Sequence, residues 1–204
     1  MKRFFRRHAT LWMLIGFCLL LGLFLSLRTG IFFTGRNLIN ILEANSFKLL
    51  LAIGMTFVIA SGGIDLSVGS ILSLSAIFTA LCMKQNIPVW LAILVGLLSG
   101  ILMGLINGAL IHFTGINAFI ITLGTSFLYR GLALIVTRGT PVSKLPAAYR
   151  AFGGGDIFQV ESGVYMALLV LLLSIPLLYK MRWGHYITTL GGNPVALRRC
   201  GVRT

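Results

Sequence analysis

The chain has 204 residues, 57% of them hydrophobic and only 10% charged, with a mean hydropathy of +0.97. That is too apolar for a water-soluble domain and places the protein in a membrane. The formal charge of +13, from 17 Lys and Arg against 4 Asp and Glu, does not indicate nucleic-acid binding. The basic residues collect at the ends of hydrophobic runs, as topology signals and lipid head-group contacts do, and no basic stretch interleaves with aromatics as a stacking platform requires.

In chain order, "MKRFFRRHAT" precedes an apolar run over about residues 10–27. A basic start and a greasy core resemble a signal peptide, but "LRTGIFF" follows where a small-residue cleavage site would stand, so the segment is predicted as an uncleaved first helix. Lys2, Arg3, Arg6 and Arg7 place the N-terminus in the cytoplasm. A second span is predicted over about 44–60, entered through "GRNLINILEANSFK", and a third, short one over about 69–83. A fourth covers about 89–111, a fifth 118–136 and a sixth 163–180. The polar stretch "TRGTPVSKLPAAYRAFGGGDIFQVES" between the last two reads as an exposed loop with a short interfacial helix. The expected fold is therefore all-α, a single polytopic transmembrane helical bundle of about six spans. Counting crossings puts that loop outside and the final segment inside, where Lys180, Arg182, Arg198, Arg199 and Arg203 stand with no acid.

Between spans two and three, "SGGIDLSVGS" (residues 61–70) breaks the hydrophobic run with Gly62, Gly63 and Asp65. In a bilayer each backbone amide needs a partner, so such a break is tolerable only inside protein or beside a water-filled cavity. Asp65 or Ser67 can cap the helix that restarts, and Gly62, Gly63 and Gly69 supply backbone freedom. Two readings stand: Asp65 as a cap alone, or a half-helix end at which Ser67, Ser70 and Ser73 line a solute pathway. A proton relay finds no second membrane acid.

In span four, Gly96, Gly100, Gly104 and Gly108 recur every four residues, so they share one helix face and predict a groove for a close-packed neighbour. Asn107, Asn117, Thr122 and Thr125 should face protein or water, and Arg130 is expected to snorkel to the outer surface as an anchor. Cys18, Cys82 and Cys200 are far apart and have no metal-ligand spacing; no metal site or catalytic residue is predicted. No G-x-x-x-x-G-K-[ST] stretch occurs, "AFGGGDIF" lacks the phosphate-reaching lysine, and no H-E-x-x-H occurs, so neither a self-powered ATPase nor a zinc hydrolase is read here. An ion-gradient-driven secondary transporter or channel stays open as the alternative, since broken helices occur there too.

At the C-terminal end, Asn193 is a favoured N-cap, Pro194 suits the first helical position, Arg198 and Arg199 lie at the C-terminal dipole end, and Gly201 suits a left-handed closing residue. These predict a short cytoplasmic helix over Asn193–Gly201, with Ala196 and Leu197 as its apolar contacts. The competing reading is a solvated basic loop held by anionic lipid.

"GMTFVIASGGIDLSVGSILSLSAIF", "GLINGALIHFTGINAFIITLGTSFLYRGLAL" and "LGGNPVALRRCGV" occur in this order. Together they resemble the successive signatures of the ribose-type permease family of bacterial ATP-binding-cassette importers, from about residue 37 onward. The resemblance implies a membrane-spanning permease subunit in the bacterial cytoplasmic (inner) membrane, importing a monosaccharide or related small polar solute. It implies a second permease, a copy of this chain or a related one, a cytoplasmic ATPase that uses the ATP, and a periplasmic or extracellular solute-binding protein, with no cofactor in this chain. It also assigns the ATPase contact to the stretch holding Gly191, Gly192, Asn193, Pro194, Ala196, Leu197, Arg198 and Gly201. Pro194 and Val195 stand where the family often has acidic or polar residues. Family members ordinarily continue through several more helices, so the chain is expected to be the N-terminal part of a longer permease, the alternative being a half-sized variant.

Overall fold

The computed structural model describes residues 9–149 and 155–202. Its contacts group the chain into two compact units, Met1–Ser46 and Phe47–Thr204, where the sequence predicted one domain. The first unit holds α1 (Ala9–Thr29) and the start of α2 (Gly35–Ala60), which runs on into the second. Within it, Phe32 and Phe33 meet edge to face at 5.1 Å, and the Phe32 ring lies against Gly22, only 3.2 Å from where a Cβ would stand.

The second unit continues through α3 (Val68–Lys84), α4 (Val89–Thr114) and α5 (Ala118–Thr137). A two-stranded antiparallel ribbon follows, β1 (Asp156–Ile157) paired with β2 (Val160–Glu161), then α6 (Ser162–Tyr179), α7 (Arg182–Gly192) and α8 (Pro194–Arg199). The fold is all-α apart from that ribbon. Among the described residues five helices, α1, α2, α4, α5 and α6, are long and apolar enough to cross a membrane, and the 17-residue α3 is the short apolar helix that the sequence predicts as its third span.

Their composition explains both the helices and their solvent. Nearly continuous apolar runs leave large side chains such as Leu19, Leu97, Phe113 and Ile135 exposed all round, which water would not tolerate but acyl chains match. The interior is correspondingly small. Leu74 of α3, Met103 of α4, and Tyr129 and Ala133 of α5 form its cluster, with Ile71, Ile77 and Phe78 packed against it. The protein is a multi-pass membrane protein.

Two segments differ from the sequence reading. Helix α2 begins at Gly35, some two turns before the predicted start, because the polar "GRNLINILE" is helical although not apolar. The polar stretch after α5 contains a hairpin where only a loop and a short helix were expected. Its tip, Phe158 and Gln159, has positive φ at both residues (52° and 64°), the geometry of a primed two-residue turn without the usual Asn-Gly. Part of that stretch, residues 150–154, lies outside the described residues, as do the basic N-terminal residues and Arg203.

Candidate functional site

The break between α2 and α3 is built residue by residue. Helix α2 ends in a pair of bonds, Gly63 N–H to the Val58 carbonyl (3.1 Å) and Gly62 N–H to the Ile59 carbonyl (2.9 Å). That is a Schellman closure, and it requires Gly62 in the left-handed region, where its φ is +85°. Past it, Thr122 of α5 supplies the partners that lipid cannot. Its hydroxyl reaches the Ile64 carbonyl (3.1 Å), sharing its proton with the Ala118 carbonyl (2.8 Å), and accepts from the Leu66 N–H (3.2 Å). Thr122 is buried, so the two backbone groups are held from within the protein, although Gly62, Ile64 and Leu66 themselves are exposed.

Of the two candidate caps, Asp65 supplies the acceptor at the start of α3 and Ser67 does not. Asp65 Oδ1 accepts from the Ser67 N–H (2.7 Å) and the Ser67 hydroxyl (2.6 Å), an Asx turn one residue ahead of α3. Ser67 stands at the N-cap but makes no side-chain bond to the first turn. Its hydroxyl, having given its proton to Asp65, accepts from Asn107 Nδ2 (2.7 Å). Asn107 Oδ1 in turn accepts from the Tyr129 hydroxyl at 3.2 Å, a proton shared with the Met103 carbonyl. Every donor points the same way, from Tyr129 through Asn107 and Ser67 to the Asp65 carboxylate, so each bond polarises the next and the chain ends on a charge. Four polar side chains thereby tie the break to α4 and α5.

The three serines of the pathway reading are placed differently. Ser67 is fully buried and lines no channel, and Ser70 turns back to the Ser67 carbonyl (2.8 Å). Ser73 is exposed. Gly63 has ordinary contacts at 3.5 Å and Gly69 faces open space, so of the three glycines Gly62 alone is conformationally required. Asn107, Thr122 and Thr125 are buried, Asn117 caps α5 through the Phe119 N–H (2.9 Å), and Arg130 is exposed. Tyr129, which the sequence reading passed over, carries no signal in sequence except a hydroxyl inside an apolar span, which in lipid must find a partner.

On α4, the expected glycine seam is filled at two of four positions. A Cβ on Gly96 would strike the Thr79 hydroxyl, and one on Gly100 would stand 3.2 Å from Ser75 Oγ and 3.9 Å from Ile71. Gly104 and Gly108 have no atom within 4 Å of such a Cβ, so they do not pack a neighbour here. Beside the seam opens a groove of about 1330 Å³, bordered by Ser75, Thr79, Lys144 and Tyr149 among mostly apolar side chains. The Ser75 hydroxyl is buried and without a hydrogen-bond partner.

The C-terminal segment forms α8 with Asn193 as its cap, accepting from the Ala196 N–H (3.0 Å), Pro194 at the first position, and Gly201 at φ +80°. The helix ends at Arg199, ahead of the predicted Gly201. Leu197, expected as an outward contact, is buried at 5% exposure within this chain, and Ala196 is half-buried. Val195, at 56%, is the apolar side chain that α8 turns outward. Gly192 is exposed and open.

The two sites meet. A Cβ on Gly62 would lie 3.1 Å from the Gly191 Cα, and one on Gly191 would strike the Ala60 carbonyl and stand 2.8 Å from the Gly62 nitrogen. The end of α7 is thus seated on the backbone of the break, 129 residues away in sequence (191 − 62). Neither the periodicity nor the spacing of the glycines indicated this contact.

Comparison with known proteins identifies the family. The family model described as a branched-chain amino acid transport system permease component matches residues 37–204. The ribose import permease of Haemophilus influenzae is 34% identical over 175 residues, 84% of this chain and 54% of that protein. The D-allose transport system permease of Escherichia coli is 35% identical over 191 residues, 93% of this chain and 58% of its own length. The autoinducer 2 import system permease of Klebsiella pneumoniae is 37% identical over 155 residues, covering 73% and 47%. The chain therefore spans about half the length of the curated relatives it matches. No solved structure matches. With most of its length inside the family model and sugar import permeases above 30% identity, the chain belongs to this family of importer permease components, among its ribose-type members.

Proposed function

We propose that the protein is a membrane-spanning permease subunit of an ATP-driven importer, carrying a monosaccharide or related small polar solute across the bacterial inner membrane. ATP is bound and hydrolysed by a separate cytoplasmic ATPase, a second permease copy completes the pathway, and an extracytoplasmic binding protein delivers the solute. The N-terminus and the α7–α8 segment lie in the cytoplasm, where Lys180, Arg182, Arg198 and Arg199 meet anionic head groups.

The observation that carries this reading is the α7–α8 element. A capped helix six residues long, with an apolar side chain turned outward and joined to an α7 whose end is seated on the transmembrane break, suits docking to a partner that moves. A carrier driven by an ion gradient has no use for such an element. The relatives' names, ribose, D-allose and autoinducer 2 import, support the solute class.

Uptake of labelled sugar in cells is the test. It should survive collapse of the ion gradient and stop on ATP depletion; the reverse pattern would identify the secondary transporter. Val195→Asp should abolish uptake and co-purification of the ATPase while the permease stays inserted. Normal co-purification with Val195→Asp would remove α8 as the docking surface.

A further inference from the structure

We infer that the backbone seat of Gly191 on Ala60–Gly62 is the joint through which movement of α8 reaches the broken transmembrane helix, with Gly191 and Gly62 acting as positioning residues for coupling. The inference rests on the importer reading above and adds to it the route by which the ATPase's movement enters the membrane.

Helix α7 is fixed at both ends by glycines that touch backbone. Near its start, Gly184 is buried against the Leu177 and Leu178 carbonyls in the last turn of α6, with no room for a Cβ. At its end, Gly191 rests on the Ala60 carbonyl, the Ser61 carbonyl carbon and the Gly62 nitrogen. Contacts of this kind have no side-chain rotamers to absorb a displacement, and packed backbone moves as a body. The corner to α8 is equally stiff. The Asn193 N–H closes α7 on the Thr189 carbonyl (2.7 Å), and the Asn193 side chain opens α8 on the Ala196 N–H, so one residue belongs to both helices. Beyond the seat, the break hands the movement on: Ile64 and Leu66 are bonded to Thr122 of α5, and Ser67 to Asn107 of α4. An unbroken path of short contacts thus leads from the outward-turned Val195 to the membrane interior.

A glycine that serves only packing and one that serves coupling differ in what substitution does. With the permease co-expressed with its ATPase and binding protein, Gly191→Ala should lower solute uptake about tenfold or more, a coupling loss of ordinary size. The ATPase should still co-purify in normal amount and hydrolyse ATP, but hydrolysis should no longer rise with solute-loaded binding protein. Gly131→Ala, at a position in α5 with no atom within 4 Å, is the control and should leave uptake unchanged. Wild-type-like uptake in Gly191→Ala overturns the joint, and so does a simultaneous loss of ATPase co-purification, which would make Gly191 part of the docking face. Because Gly191→Ala can fail to fold, the unmodified complex supplies a second reading. Amide exchange over residues 61–67 should change between the nucleotide-free and ATP-bound complex, while the turn at residues 85–88 should not. Equal exchange at residues 61–67 in both states overturns the joint. Absence of ATP-dependent uptake and of ATPase co-purification in the unmodified protein would instead sink the importer reading, whereas a working importer indifferent to Gly191→Ala sinks the joint alone.

Discussion

Thr122 holds two backbone groups of the break, and removing its hydroxyl while keeping its shape isolates that contribution. Thr122→Val leaves the Ile64 carbonyl and Leu66 N–H without their partner, a loss that destabilises the break wherever no water reaches them. It should lower the detergent unfolding midpoint clearly, while Thr122→Ser, which keeps the hydroxyl, should lower it less; equal midpoints for Val and Ser would mean that water supplies the bonds. Asp65 is read the same way. Its Oδ1 accepts twice from Ser67, so Asp65→Asn keeps a neutral acceptor with weaker bonds, and Asp65→Leu orphans the Ser67 N–H and hydroxyl together. Folded yield should fall modestly for Asn and strongly for Leu, and a yield for Leu matching that for Asn would remove Asp65 from the network. Asp65 was legible from sequence as the one polar interruption in an apolar run. The network beyond its neighbour Ser67 was not, because a bond spanning 40 residues, as Asn107 makes to Ser67, leaves no local pattern.

At the scale of the helix, hydropathy and start or stop residues located the elements well, since a bilayer demands long uninterrupted apolar helices and punctuates them with Gly, Pro and Asn. Helix α4 was expected from Val89, where it begins, and α5 from Ala118, behind its Asn117 cap. Periodicity gave the α4 glycines a common face but could not say how far a neighbour follows that face. A side chain at Gly100 would be driven into Ser75 and Ile71, whereas a Cβ at Gly104 meets no atom within 4 Å. Gly100→Leu should therefore cut the monodisperse yield in detergent, and Gly104→Leu should not; similar losses at both positions would mean that another helix lies over Gly104. The six-residue α8 shows the other limit. Too short for a hydrophobic period, it gave no indication of which side Leu197 takes, and Leu197→Asp would put a charge into the chain's own interior. That makes Val195 the informative position for docking.

For the whole molecule the question is how many times the chain crosses, and the contact between Gly62 and Gly191 constrains the count. If those two residues touch, the end of α2 and the end of α7 lie at the same membrane face, so an even number of crossings separates them. The helices between are α3, α4, α5 and α6, and an even number requires that α3 cross with the other three. Its 17 residues span about 26 Å at 1.5 Å per residue, a little short of the roughly 30 Å hydrocarbon core, and the non-helical residues 61–67 make up the difference. On the orientation proposed above, from the basic residues on either side of α7, that face is the cytoplasmic one and the β1–β2 hairpin is outside. Three thiols read this directly, in a background with Cys18 and Cys82 replaced by Ser and the exposed Cys200 retained. An impermeant maleimide added to intact cells should label Gln159→Cys at the hairpin tip and spare both Cys200 and Ser61→Cys; inside-out vesicles should reverse the pattern. Labelling of Ser61→Cys from the outside would show that α3 does not cross, and would break the contact between the two glycines on which the coupling route depends.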